Sequence, residues 1–142
     1  MEKKRRLGLD IGDRRIGVAL SDPGGVLATP FTIIEYRDEE QALRAIVDIV
    51  EQQQVGKIVA GLPYSKDGTI GRQAEKVQLF IGKLASLTDV PIEFRDESLT
   101  TVEAQRLMQE SGIRQFDKKT GKKIRDDAAA AAVILQRYLD EL

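Results

Sequence analysis

The spacing of apolar and polar residues predicts three neighbouring β-strands at the start of the chain. Short apolar segments separated by tight turns favour an antiparallel meander, and they cover residues 6–12, 15–21 and 30–36. The period then lengthens to that of a helix, for which Asp38 is the predicted N-cap and Gln41 its capping-box partner. The apolar positions of this helix are Ala42, Ala45, Ile46, Ile49 and Val50.

Helices and strands alternate in the following segment. The run "KIVAGLP", residues 57–63, predicts a fully apolar strand that Pro63 ends. A second helix is predicted from about Ile70. Its buried face is formed by Ala74, Val77, Phe80, Ile81 and Leu84. The run "PIEFRDE", residues 91–97, predicts the fifth strand.

The last third of the chain predicts two further helices. Thr100 and Glu103 form a capping box for a helix that Gly112 ends. Residues 113–125 are polar and basic and predict a loop. Asp126 or Asp127 caps the final helix. Its apolar side includes Ile134, Leu135 and Leu139.

The predicted order β-β-β-α-β-α-β-α-α defines an α/β fold class. Three meandering strands followed by two right-handed crossovers give a mixed five-stranded sheet with helices on both faces. The apolar strands after residue 55 fit buried parallel neighbours of the first strand. A length of 142 residues predicts one domain, residues 1–142.

Composition restricts the chemistry. The chain has no cysteine and no histidine, which excludes thiol nucleophiles, thiolate zinc sites, histidine bases and imidazole ligands. Catalysis would therefore use carboxylates, lysines, hydroxyls or a metal ion bound through oxygen. The formal net charge is -1, so the overall charge carries no nucleic-acid signature. No apolar run suits a signal peptide or a membrane span, which predicts a cytoplasmic protein.

Asp10 interrupts the apolar run "LGLDIG". On a strand it would share one face with Gly8 and Gly12, and these residues leave space for a ligand to approach the backbone. A structural alternative is that Asp10 pairs with Arg14 or Arg15 at the end of the strand. The sequence leaves both interpretations open.

Two acidic pairs occur where chain segments end or begin. Asp96 and Glu97 close the fifth strand, and Asp126 and Asp127 open the last helix. Each pair has a structural interpretation, as a solvated strand end or a helix cap. In the predicted sheet, however, the carboxyl ends of central strands line a crevice, where acids from separate segments could converge with Asp10. Two carboxylates ~4 Å apart repel by about 4 kcal/mol at an effective dielectric near 20, and Mg²⁺ or Mn²⁺ would neutralise them.

Four ordered motifs resemble one known family. "GLDIGDRRIGVALSD", "GLPYSKDGTIGRQAEKV", "DESLTTVEA" and "DDAAAAAVILQRYL" are similar to the YqgF family, the Holliday-junction-resolvase-like proteins described as pre-16S rRNA nucleases. The resemblance covers about residues 7–139. It implies a ribonuclease H-like fold and a cytoplasmic, metal-dependent nuclease that hydrolyses phosphodiester bonds in maturation of the small-subunit rRNA precursor.

The resemblance also implies a set of site residues. It places the catalytic, metal-binding carboxylates at Asp10, Glu97 and Asp127, and it favours Asp127 over Asp126 by the spacing to Gln136. The family usually has arginine after "DE", where this chain has Ser98. Arg95 or the basic residues of 118–125 are candidates to compensate.

Basic residues near these motifs predict contacts with nucleic-acid phosphates. The candidates lie in the turn after the first strand, in the loop after "GLP" and in the segment 113–125: Arg14, Arg15, Lys66, Lys118, Lys119, Lys122 and Lys123. The partner is an RNA precursor or a structured DNA such as a Holliday junction, and symmetric cutting of a junction would require a homodimer.

Two other classes of protein share parts of this pattern. Nucleotide-binding proteins of the actin and sugar-kinase type also open with an acid and glycines on a first strand. They clamp nucleotide between two such domains, whereas 142 residues supply one. A non-catalytic nucleic-acid-binding module would not need all three acids.

Overall fold

A computed structural model of the chain describes residues 5–62, 71–96 and 126–141, with the backbone alone at Asp96, Asp126 and Asp127. The elements in chain order are β1 (Arg5–Ile11), β2 (Arg15–Ser21), β3 (Ala28–Glu35), α1 (Glu39–Gln52), β4 (Val55–Leu62), α2 (Arg72–Ala85), β5 (Ile92–Asp96) and α3 (Asp126–Asp140). Within these residues, no helix combines the length and apolar character that a membrane crossing needs.

The strands form one mixed sheet in the order β3-β2-β1-β4-β5. β1 is central, and it pairs antiparallel with β2 and parallel with β4. β3 extends the antiparallel side and β5 the parallel side. The predicted fold class, a sheet of three antiparallel strands followed by two parallel ones, is confirmed.

Element boundaries agree with the sequence prediction to within a few residues. β3 begins at Ala28, two residues earlier than predicted, because its pairing with β2 continues to Ser21 and Ala28. The Ala28 N–H donates to the side chain of Gln136, 108 residues away. Asp38 occupies the N-cap position of α1, but its carboxylate makes no capping hydrogen bond, so that part of the prediction is wrong. The predicted helix at 100–112 and the loop at 113–125 lie outside the described residues.

The larger core lies between the sheet and the α1/α2 layer. Alternate residues of β1, β2 and β4 point to this side, and the side chain of Phe80 fills the space beneath α2. All five positions predicted for the buried face of α2 are buried. The least exposed large side chains of this core include Leu7, Leu9, Ile16, Ile46, Ile58 and Phe80.

Among the described helices, α3 packs against the opposite face of the sheet. Its alanine-rich sequence places small side chains against Ala19 of β2 and Val59 of β4. The predicted apolar positions Ile134, Leu135 and Leu139 are all buried. Because alanines have short side chains, the helix backbone can approach the strands closely.

The closest approach occurs at Gly8. A Cβ atom there would lie 2.7 Å from the carbonyl oxygen of Ala131 and 2.9 Å from Cβ of Leu135. Both distances are shorter than real Cβ contacts, and the first partner is backbone, which cannot rotate away. Gly8 is therefore required by packing, and its lack of a side chain sets the distance between β1 and α3.

Replacing Gly8 with alanine should lower the free energy of unfolding by about 1–3 kcal/mol, because the added methyl group overpacks the β1–α3 contact. Denaturation in urea measures the change. Gly82→Ala is the matched control, because nothing lies within 4 Å of a Cβ atom at this helical position. That substitution should raise stability by about 0.5–1 kcal/mol through helix propensity. Equal effects of the two substitutions would contradict the packing argument.

Candidate active site

Asp10 lies one residue before the end of β1 and is half-buried. Its Cα partner on β2 is Gly17. On the other side, Gly61 follows Ala60, which is the β4 partner of Leu9. The nearest positions along and across the sheet are thus glycines: Gly8, Gly12, Gly17 and Gly61. At Gly8 the space is filled by α3, since a Cβ atom there would lie 2.7 Å from the Ala131 carbonyl oxygen, and at Gly12 it would lie 3.0 Å from the Arg15 carbonyl oxygen. The prediction that these two glycines leave space for a ligand is therefore wrong.

α3 runs antiparallel to β1, which brings its first turn towards Asp10. Its C-terminal half lies at the end of the sheet where β1 begins. There the Gln136 side chain forms hydrogen bonds with the backbone of Val26 and Ala28, between β2 and β3. Ala131 lies over Gly8. Asp127 lies four residues before Ala131 along α3, a distance of about 6 Å. Asp10 lies two residues after Gly8 along β1, a distance of about 7 Å. The backbone at position 127 is therefore at the same end of the sheet as Asp10.

The last residue of β5 reaches that end as well. Asp96 is the Cα partner of Leu62, which ends β4. Since β4 and β5 both run parallel to β1, their carboxyl ends share one edge of the sheet with Asp10. Glu97 directly follows Asp96 in the sequence and itself lies outside the described residues.

The three predicted metal ligands differ in what the structure describes. The side chain of Asp10 is described, Asp127 is described by its backbone, and Glu97 is not described. Among the described side chains, no group of three or more Asp, Glu, His or Cys residues could hold a metal ion. The metal site therefore stays a prediction, with backbone placement in its favour at Asp10 and Asp127.

Arg14 lies in the turn that joins β1 to β2, Arg15 is the first residue of β2, and both are exposed. Their backbones are anchored. The Arg15 carbonyl accepts a hydrogen bond of 2.9 Å from the Gly12 N–H, and the Arg14 carbonyl accepts one of 2.7 Å from the Tyr36 N–H. Across the described residues, no ion pair involves either guanidinium, which weighs against the interpretation of Asp10 as their structural partner. The other predicted phosphate contacts lie outside the described residues: Lys66, Lys118, Lys119, Lys122 and Lys123.

Arg95, a candidate to replace the family's usual arginine at position 98, is engaged elsewhere. Its Nε donates to Glu141 Oε1 at 3.1 Å, and its Nη1 donates to Glu93. The guanidinium also lies 5.1 Å from the centre of the Tyr138 ring. These contacts tie β5 to the C-terminal end of α3, so Arg95 acts as a structural clamp.

Glu93 connects this clamp to β4. Its carboxylate lies 3.1 Å from the ammonium of Lys57, which itself lies 5.8 Å from the centre of the Tyr138 ring. Hydrogen bonds from Lys57 and then from Arg95 lower the pKa of Glu93 below its ordinary value. We call this group, formed by Lys57, Glu93, Arg95, Tyr138 and Glu141, the β5–α3 clamp.

Sequence reasoning did not single out Arg72, the first residue of α2. It is exposed and lies close along the chain to Gln73, whose Nε2 donates to the carbonyl of Ile11 at 3.4 Å. The available signal was its position inside the second family motif, "GLPYSKDGTIGRQAEKV".

The chain is similar to known proteins in sequence and in structure. The family model for RuvX, described as Holliday junction resolvase, matches residues 4–141. A relative from Dehalococcoides mccartyi, named "Putative pre-16S rRNA nuclease", is 50% identical over 131 residues, covering 92% of this chain and 94% of its own. A relative of the same name from Roseiflexus sp. is 45% identical over 139 residues, covering 98% and 96%.

Solved structures with the same fold are much more distant in sequence. A T. thermophilus RuvC in complex with a Holliday junction substrate has a TM-score of 0.64 at 11% identity, over 97% of this chain and 94% of that chain. The fowlpox virus resolvase in complex with Holliday junction DNA has a TM-score of 0.60 at 12% identity, over 96% and 97%. These neighbours confirm the expected ribonuclease H-like fold.

The β5–α3 clamp predicts a pH-dependent contribution to stability. Because the pKa of Glu93 is lowered on folding, its ion pairs contribute stability at neutral pH. This contribution is lost as the pH falls through and below the ordinary carboxyl range. Glu93→Gln should therefore be less stable than wild type at pH ~7, and the difference should shrink towards pH ~3. Urea denaturation across this range measures it. A difference that grows on acidification would contradict the prediction.

Proposed function

The chain belongs to the RuvX family of Holliday junction resolvases, and on that premise we propose that it is a metal-dependent nuclease that matures the small-subunit (pre-16S) rRNA precursor. Hydrolysis of phosphodiester bonds is the activity of this family. The rRNA substrate is supported by the names of relatives 45–50% identical over nearly the full length of the chain. We further propose that one domain of 142 residues carries this activity in the cytoplasm.

The position of Asp10 is the observation that carries the proposal. A half-buried carboxylate stands on the central strand among glycines, at the sheet edge that the main chain of Asp127 and the end of β5 also reach. In α/β sheets, ligands bind outside the carboxyl ends of the strands, which is where Asp10 lies. The arrangement suits a group that binds a charged ligand from solvent.

The donor chemistry fits Mg²⁺ or Mn²⁺. Carboxylate oxygens are the ligands these ions prefer, and the chain has neither histidine nor cysteine to favour a softer metal. We propose that Asp10, Glu97 and Asp127 hold the metal. When bound, such an ion activates a water molecule and stabilises the charge that develops on the leaving oxygen. β1 holds the Asp10 carboxylate in place, since a strand paired on both sides has little freedom to move.

Basic residues around this edge are proposed to bind the substrate phosphates. Arg14 and Arg15 present exposed guanidinium groups in the turn beside Asp10. Arginine suits this task because its planar fork donates two parallel hydrogen bonds to phosphate oxygens. The lysines of the remaining basic segments, Lys66, Lys118, Lys119, Lys122 and Lys123, are proposed to extend the contact along the backbone.

A structured DNA is the second candidate substrate. The description of the matching family model, Holliday junction resolvase, favours it. Symmetric cutting of a junction would require a homodimer, in which two copies of this site face two strands of the junction. Incubating the protein with Mn²⁺ or Mg²⁺ and labelled precursor RNA, single-stranded DNA or junction DNA, side by side, separates the two substrates. Binding without cleavage of any substrate would instead favour a non-catalytic module.

Asp10→Asn should abolish metal-dependent cleavage with little change in fold, because a neutral amide is a poor ligand for a hard cation. Glu97→Gln and Asp127→Asn should behave in the same way. Asp126→Asn is the matched control and should keep most of the activity. Cleavage of the preferred substrate and circular dichroism of each variant are the measurements. Equal losses at positions 126 and 127 would overturn the choice of Asp127.

The response of stability to metal tests the site without a substrate. If the three carboxylates converge, they repel one another in the metal-free protein, so Asp10→Asn should be at least as stable as wild type. Wild type should gain about 2.7 kcal/mol at a hundredfold excess of Mn²⁺ or Mg²⁺ over the dissociation constant, and the variant little. Thermal melts with and without metal measure both effects. If Asp10 were only an arginine's partner, the variant would lose stability and metal would change neither protein.

A further inference from the structure

The first turn of α2 lies against the turn between β1 and β2. The Gln73 side chain donates to the Ile11 carbonyl, with 3.4 Å between Nε2 and the oxygen. The Lys76 ammonium lies 3.6 Å from the Asp13 carboxylate. These two contacts flank β1 immediately beyond Asp10. They place Arg72, which precedes Gln73, beside the turn that carries Arg14 and Arg15.

Three exposed arginines at this place lack an acidic partner. Arg14, Arg15 and Arg72 form no ion pair with any residue that the structure describes. Glu75 lies one helical turn from Arg72 without pairing with it, and Asp13 is already paired with Lys76. Glu35, the β3 partner of Arg15, is paired with Arg37.

Exposed arginines elsewhere in the described chain do find such partners. Arg37 pairs with Glu35, and Arg44 pairs with Glu40. A surface whose guanidinium groups are not paired with acids attracts polyanions, because those charges are not neutralised by a direct contact within the protein. The contrast singles out the β1–β2 turn and the start of α2 as an anion-binding surface.

We propose that Arg72 binds a phosphate of the nucleic-acid backbone, so that the substrate strand runs from Asp10 across the β1–β2 turn to the first turn of α2. This inference rests on the proposed nuclease function and deepens it by assigning the path of the strand. Arg72 is separated from the Asp10 face of the sheet, since α2 packs on the side opposite α3. It therefore binds a phosphate next to the cleavage position and does not touch the reacting atoms.

The experiment measures binding separately from cleavage. In an Asp10→Asn background without divalent metal, Arg72→Gln is compared with Arg44→Gln, which removes the same charge from an exposed arginine of α1. Fluorescence anisotropy of a labelled oligonucleotide gives the dissociation constant over a range of salt concentrations. Arg72→Gln should weaken binding about three- to tenfold and reduce the slope of log affinity against log salt by about 0.7–0.9, the loss of one phosphate contact. Arg44→Gln should change neither quantity.

Two results would overturn the inference. An unchanged salt slope in Arg72→Gln means that Arg72 meets no phosphate, and equal effects of the two variants mean that only net charge matters. Thermal melts confirm that both variants fold, and Arg72→Lys, which keeps the charge, should restore most of the slope. With Asp10 intact, Arg72→Gln should raise KM and leave kcat nearly unchanged.

The inference and the proposed function fail in different ways. A wild-type protein that binds nucleic acid with the expected Arg72 dependence, but cleaves no substrate, contradicts the nuclease proposal alone. A wild-type protein that cleaves, while Arg72→Gln keeps its KM and its salt slope, contradicts the proposed path of the strand alone.

Discussion

The contact between Gly8 and α3 determines how the rest of the molecule is arranged around its central strand. With only 2.7 Å between a hypothetical Cβ and the Ala131 oxygen, the helix backbone rests on the backbone of β1. Any side chain at position 8 would lift α3 away from the sheet. Because Asp10 lies two residues further along the same strand face, the same contact that packs the helix also sets how near its first turn comes to Asp10.

Two further attachments fix α3 at its other end. Gln136 accepts from the Ala28 N–H at 2.9 Å and donates to the Val26 carbonyl at 3.0 Å, which holds the helix to the start of β3. The β5–α3 clamp holds its last turns to β5 through Arg95 and Tyr138. Contacts at the middle and at the C-terminal end of α3 fix the direction of the helix. Its N-terminal residues therefore lie near the carboxyl ends of β1, β4 and β5.

The sequence predicted the topology of the sheet because short connections and right-handed crossovers leave few ways to arrange five strands. It also identified Asp10 through its place between two glycines. It did not predict the close approach at Gly8, the double attachment by Gln136 or the β5–α3 clamp. These contacts join residues far apart in the chain, and no local periodicity reports them. At Asp38 the sequence predicted the N-cap position correctly, but the side chain makes no capping hydrogen bond. Residue type indicates where a helix begins, but it does not determine whether that hydrogen bond forms.

Two parts of the sheet carry opposite kinds of interaction. Across β4 and β5, Lys57, Glu93 and Arg95 neutralise one another in direct ion pairs. At the carboxyl end of β1, Arg14 and Arg15 lie exposed without acids that pair with them in the described chain. Charges that are satisfied inside the protein stabilise it, whereas charges left for a ligand stabilise it only when the ligand binds. The clamp holds the C-terminal end of α3 to β5, and it thereby supplies part of the rigidity that the proposed site needs to hold its charged groups in position.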